Sequence, residues 1–173
     1  MGATVEHGQQ DGIHDCASVS GDLAGLGDLV LRHNGIFGGC WCTWFHGGHP
    51  SCEGRGETAE GNRAIKKRLV EEGVAHAALV MDGDEAIAWA EFGTPEELPS
   101  LHHFKQYEAT QTEAPDYRIT CVFVDKRHRR QGVTELAIRG ALDLIAQAGG
   151  GRVESLPGRK SKVGRHPCGW AGG

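Results

Sequence analysis

The sequence predicts an α/β (α+β) fold: a mixed, mostly antiparallel sheet flanked by helices. Three observations predict it. Two apolar runs, 74–81 and 85–92, are joined by Asp82-Gly83-Asp84, whose glycine can supply the positive φ that a tight hairpin turn requires. An uninterrupted run over 117–125 leads directly into a basic, glycine-containing turn and then a helix over 133–148. After Gly149-Gly150-Gly151, the stretch Arg152-Val153-Glu154-Ser155-Leu156 reads as a short strand that returns parallel to the 117–125 strand.

The remaining elements follow in chain order. Residues 1–25 mix Gly, His, Gln and Asp without sustained periodicity and are expected to form a flexible N-terminal arm. Leu29, Val30 and Leu31 lead into Gly38-Gly39-Cys40-Trp41-Cys42-Thr43-Trp44-Phe45-His46, strand formers bounded by glycines, read as the first strand. A Gly, Ser and Glu loop over 47–58 precedes an amphipathic helix over 60–72, with Ile65 and Leu69 on one face and Gly73 as its cap. Thr94-Pro95-Glu96-Glu97-Leu98-Pro99 cannot extend a strand, and 101–107 is expected to make a single helical turn before a polar loop. In the 133–148 helix, Glu135, Arg139 and Asp143 make one charged stripe. Leu136, Ile138, Leu142, Leu144 and Ile145 spread apolar surface around the rest, so this helix is buried on several sides. The organisation expected is the arm 1–25, one domain over 26–157, and a disordered, atypical tail over 158–173.

Composition narrows the function. The chain has 173 residues and a net charge of -5, yet residues 1–125 carry 8 basic and 20 acidic side chains and residues 126–173 carry 10 and 3. The basic end seeks anions. The aromatic interleaving of a single-strand binder is missing and the rest of the surface is acidic, so a small polyanion fits better than nucleic acid. No apolar run approaches the roughly 18 residues of a membrane span, and the N-terminus has no basic n-region or apolar h-region. A cytoplasmic protein without a membrane partner is expected. Its six cysteines (16, 40, 42, 52, 121 and 168) form no evenly spaced framework and are expected to be mostly reduced.

The informative segment is Val124-Asp125-Lys126-Arg127-His128-Arg129-Arg130-Gln131-Gly132-Val133-Thr134. It puts successive backbone N–H groups at a helix start beside cationic side chains, which is the chemistry of a pyrophosphate cradle. Gly132 lets the main chain approach phosphates without a Cβ in the way, the helix dipole favours negative charge, and Arg127, Arg129 or Arg130 can screen the remainder. The bland alternative is a solvated basic turn capping a helix. Its place between a buried strand and a buried helix favours the cradle.

Arg129-x-x-Gly132-x-Thr134 resembles the (Gln or Arg)-x-x-Gly-x-(Gly or Ala) signature of the GNAT N-acetyltransferase superfamily. The resemblance covers about 29–157 and includes a Gly39-Cys40-Trp41-Cys42 motif similar to that of a bacterial branch. It implies a sheet that splays between the 117–125 and 152–156 strands, with the pantetheine arm of acetyl-CoA in the gap. Val122 and Val124 would bind that arm through backbone groups, and Arg129, Arg130, Gln131, Gly132, Val133 and Thr134 would hold the pyrophosphate. It also implies direct attack of a neutral amine, from a small molecule or a peptide, on the acetyl thioester, with no covalent enzyme intermediate. A strand N–H near Phe123 would stabilise the oxyanion. Glu91 is the candidate base, since Trp89 and Phe92 beside it would desolvate the carboxyl and raise its pKa.

The chain departs from that pattern twice. Thr134 puts a β-branched residue at the last small position. After Pro157, where the superfamily continues with a cofactor-contacting helix, closing strands and often a tyrosine acid, this chain is polar and basic, as a truncated or frameshifted gene would leave it. The alternative function is therefore a truncated, catalytically impaired GNAT-like domain that only binds CoA or is inactive, and an uncovered sheet edge favours a homodimer. A third reading places Cys40, Cys42 and His46 on one face of a strand with Cys52 nearby as a zinc site. Cys-x-Cys is not the usual knuckle, and the preferred assignment has no metal. Cys121 is expected to be a buried structural thiol.

Overall fold

A computed structural model of the chain describes residues 15–18, 23–33, 39–47, 58–101 and 104–155. The predicted hairpin is its centre: β2 (His76–Asp82) and β3 (Glu85–Gly93) pair antiparallel around a turn in which Gly83 has φ +58°. Ahead of it in the chain, β1 (Asp15–Ser18) pairs antiparallel with β2. These four residues lie inside the segment expected to be a flexible arm, so that expectation is corrected: part of it completes one edge of the sheet. On the other side, β4 (Tyr117–Val124) runs antiparallel to β3, and β5 (Val153–Ser155) lies parallel to β4. The result is a mixed sheet of order β1-β2-β3-β4-β5, with the single parallel pair where the sequence placed it.

Among the described residues four α-helices accompany the sheet: α1 (Leu23–Arg32), α2 (Ala59–Glu71), α3 (Phe104–Thr110) and α4 (Val133–Gln147). Alternation along the strands sends side chains to two faces. Ala78, Val80, Ala88, Ala90, Phe92 and Ile119 meet Val133, Ala137, Ala141 and Ile145 of α4. On the opposite face Leu79, Trp89, Cys121 and Phe123 meet Leu26, Leu29 and Val30 of α1, together with Trp41 and Cys42. Each fully buried large apolar side chain in these layers contributes about 1.5–3 kcal/mol over remaining exposed. Irregular register between Glu91 and Phe92 leaves Thr120 as an extra residue on β4, and this bulge lets Cys121 and Ile119 serve different faces.

The expected first strand over 38–46 is not a strand. Residues Thr43–His46 form a 3-10 turn, and Trp41 and Cys42 both have left-handed backbones, φ +50° and +51°. Tertiary contacts override the local strand propensity. Gly39, at φ +86°, passes so close to α2 that a Cβ there would lie 2.4 Å from the Cβ of Ala59. The Asn62 amide donates to the Gly39 carbonyl at 3.0 Å, and the Thr43 hydroxyl bonds Asn62 Oδ1 at 3.1 Å and the Cys40 carbonyl at 3.0 Å. The segment is thus folded onto the start of α2, which Thr58 caps by accepting from the Gly61 N–H. Helix α3 runs seven residues where a single turn was expected. The tail over 158–173 lies outside the described residues. Among the described residues no helix is long and apolar enough to cross a membrane.

Candidate functional site

The C-terminal half of β4 offers one free backbone edge. Pairing with β5 ends at Ile119 and Ser155, so the β4–β5 ladder stops short of Val122 and Val124. On the other side the Asp125 N–H donates to the Ile87 carbonyl at 2.8 Å. Main-chain N–H and C=O groups alternate sides along a strand. With Asp125 facing β3, Phe123 opposite Trp89 faces β3 as well, whereas Val124 and Val122 face the open edge. Val122 and Val124 are the two residues expected from the resemblance to act as backbone binders. Within the stretch assigned to the oxyanion donor, the Phe123 N–H is turned into the sheet and its side chain is buried against Trp89, while the neighbouring Val122 and Val124 N–H groups face the open edge.

Beyond β4 the chain makes a short 3-10 turn, Lys126–His128, and enters α4 through Gly132. Asp125 is fully buried and caps that turn by accepting from the Arg127 N–H at 2.9 Å. Hydrogen bonds from the Arg127 guanidinium lead in holding the Asp125 carboxyl well below its ordinary range, against the effect of burial, and the Arg127 N–H and His33 add to them. The Arg127 guanidinium is committed to both Asp125 oxygens and to Glu85, so it braces the turn and is not available to a phosphate. Arg129, Arg130 and Gln131 are exposed. Arg129 Nε lies 3.4 Å from the Val124 carbonyl, so the guanidinium stands over the free edge of β4.

Arg130 and Gly132 have left-handed backbones, φ +63° and +78°. Such reversals turn successive N–H groups toward one concavity, and the first turn of α4 adds N–H groups that lack intrahelical partners. A Cβ built on Gly132 meets nothing within 4 Å, so space above the glycine is open to a ligand. Val133 is buried under the sheet and anchors the helix start, while Thr134 is exposed and does not crowd the core. Backbone concavity, helix N-terminus and two exposed arginines suit a pyrophosphate.

Glu91 occupies a different setting from the one the sequence suggested. It is 1% exposed, on the α1 side of the sheet, with its Oε1 bonded to the Lys66 ammonium and 3.3 Å from His46 Nε2. Its Oε2 accepts from the Thr120 hydroxyl at 3.1 Å. Burial pushes the carboxyl up, as expected from Trp89, but Lys66 and His46 outweigh it and bring the pKa to about 2. Burial likewise presses Lys66 down, yet the Glu91 charge leaves its pKa raised. The expected raised basicity of Glu91 is therefore corrected: it is an ionised, fully engaged acceptor. His46 Nδ1 is 2.8 Å from the Glu97 carbonyl and must donate to it, so Nε2 either accepts from Lys66 or, protonated, donates to Glu91.

Lys66 was not singled out from the sequence, and His46 only as a zinc candidate, so neither was named as a partner of Glu91; for Lys66 a signal existed. Asn62, Ile65, Lys66 and Leu69 follow the i, i+3, i+4, i+7 spacing of one helix face, and all four are buried. A lysine on an apolar stripe needs a buried counter-charge.

Cys40, Cys42 and Cys121 are buried and are not in disulfides. The strand geometry that would have aligned Cys40, Cys42 and His46 is absent, and among the described residues no group of three or more His, Cys, Asp or Glu could hold a metal ion. Cys52 lies outside those residues.

No protein-family model matches the chain, and no curated protein matches it. Solved structures do. The ribosomal-protein-alanine N-acetyltransferase of Brucella melitensis biovar Abortus 2308 is 12% identical, with a TM-score of 0.50, over 86% of this chain and 83% of that one. A protein from Clostridium difficile 630 described as a possible acetyltransferase is also 12% identical with a TM-score of 0.50, over 87% and 83%. At such identity the likeness shows the fold, and the fold is GNAT-like.

Proposed function

We propose that this GNAT-like chain is an N-acetyltransferase that moves acetyl from acetyl-CoA to a primary amine of a small molecule or peptide in the cytoplasm. The observation that carries the proposal is the arrangement of β4, turn and α4: a strand edge beyond the β5 pairing, at Val122 and Val124, leads into a turn with left-handed Arg130 and Gly132 at the start of α4. Acetyl-CoA supplies the activated thioester. The Val122 and Val124 backbone groups would hold its pantetheine amides as an added strand would, and the turn with Arg129 and Arg130 would hold its pyrophosphate. The Val122 N–H is the donor best placed to meet the developing oxyanion.

A neutral amine attacks the carbonyl carbon, and its proton passes to water, because Glu91, with a pKa of about 2 and both oxygens engaged by Lys66 and Thr120, is a weak and buried base. Glu91 acts as a positioning residue: it fixes Thr120, the bulged residue of β4, through the hydroxyl bond. Isothermal titration of the full chain with acetyl-CoA tests the proposal. Binding is expected, with a loss of tenfold or more in each of Arg129→Glu and Gly132→Glu. A folded parent protein that does not bind, or two variants that bind as it does, would sink the site assignment.

A second reading, a domain that binds CoA without turnover, is favoured by the candidate base Glu91 being buried, ionised and bonded to Lys66. Release of free CoA in the presence of an amine panel separates the two.

A further inference from the structure

Cys42 and Cys121 are 79 positions apart in the chain, and their Sγ atoms lie 2.8 Å apart in the buried layer between the 3-10 turn and β4. We propose that these two thiols are a redox-active pair, closed to a disulfide by a hydroperoxide and reopened by a thiol reductant. Three observations favour this over other uses of two buried sulfurs. The pair has no third ligand among the described residues that would make it a metal site. The contact with Cys121, then burial, and then the nearby charges including Glu91 all push the Cys42 thiol up, so Cys42 is a poor standing nucleophile. Finally, a disulfide bond is about 2.0 Å long, so the sulfurs need to close by under about 1 Å. Cys121 is fixed in a central strand, whereas Cys42 sits in an irregular turn at φ +51°, the element better able to move.

The chemistry balances with hydrogen peroxide as oxidant. One sulfur, having given its proton to solvent, attacks a peroxide oxygen; the O–O bond breaks, leaving a sulfenic acid and, with that proton, water. The second sulfur then attacks the sulfenic sulfur, the S–S bond forms, the S–O bond breaks and a second water leaves. Two thiols and one peroxide thus give one disulfide and two waters. Burial makes the reaction slow, with Cys121 the more exposed partner at 8% against 3% for Cys42. The product would staple the 39–47 segment to the same strand whose edge is free. Closing a loop of this length restricts the unfolded chain and should raise the melting temperature by roughly 10 °C.

The test is to hold the folded full chain with hydrogen peroxide for hours, alkylate free thiols, digest with trypsin and identify linked peptides. The expected product joins peptide 33–55 to peptide 119–126, lighter by two hydrogen atoms than its parts, with fragmentation placing the bond on Cys42. It should vanish with dithiothreitol, persist in Cys40→Ser and melt roughly 10 °C higher than the reduced protein. Cys42→Ser should lose the link, but the wild-type digest decides the matter even if that variant does not fold. Recovery of Cys42 and Cys121 both alkylated, both over-oxidised to sulfinic acids, or a bond from Cys121 to Cys40 would overturn the proposal.

Discussion

Replacing Lys66 with methionine keeps the apolar stem of the side chain and removes only the ammonium that faces Glu91. Lys66 is 4% exposed and Glu91 1%, so water cannot take the place of the lost partner. Removing one member of a buried ion pair typically costs about 3–5 kcal/mol, because the other charge is stranded. For a chain of this length each kcal/mol lowers the melting temperature by about 2–4 °C, so Lys66→Met should melt roughly 10 °C below the parent protein. Adding Glu91→Gln should restore at least half of that loss, since the stranded charge is then gone.

The pH dependence carries an independent sign. In the parent protein the Glu91 pKa falls from 4.5 to about 2, so its stabilising contribution is present above about 4.5 and lost as pH falls toward 2. In Lys66→Met, burial acts with His46 and the Thr120 hydroxyl against it but no ammonium, and protonating Glu91 relieves the variant instead of harming it. The gap between variant and parent should therefore narrow from pH 7 to pH 4 in thermal melts followed by circular dichroism. A Lys66→Met protein within about 3 °C of the parent at pH 7, or a gap that does not change with pH, would refute the stranded-charge argument.

Two glycines give contrasting predictions. Gly39→Ala should cost about 3 kcal/mol or more in urea titration, since the new Cβ would meet Ala59 at 2.4 Å and the backbone is left-handed. Gly132→Ala has the same backbone strain and no neighbour within 4 Å, so it should lose only about 1–2 kcal/mol. In titration with acetyl-CoA, Gly132→Ala should weaken binding by tenfold or more, because its Cβ enters the space left for the phosphates.

The hairpin, the parallel pair and the Gly132 turn were legible because each rests on a local rule: a glycine where φ must be positive, or a strand, turn and helix in fixed order. The 38–46 segment was not legible. Its alternating Cys, Trp and Thr residues have strand propensity, and contacts distant in the chain, from Ala59 and Asn62 and from Glu97 and Ser100, hold it as a turn. Glu91 was located correctly on β3, but its ionisation depended on two residues from separate elements. The α2 periodicity could have supplied Lys66, while nothing local marks His46, whose ring is held by the Glu97 carbonyl. The sense of the Phe123 N–H depended on register, which the sequence does not specify to one residue.

The register has a further consequence for what sort of specificity this chain can evolve. Every side chain of the outer half of β4 is taken up by packing: Cys121 and Phe123 under α1 and the 3-10 turn, Val122 and Val124 against the α4 layer. What remains for recognition along this strand is its backbone edge, and a backbone edge reads amides and shape, not side-chain chemistry. Conservative apolar substitution at Val122 or Val124 can therefore leave the edge intact, while a change that breaks the bulge at Thr120 turns the wrong backbone groups outward and costs the site its donors together. Under the proposed function, discrimination among acceptor amines then falls to residues that are not part of β4.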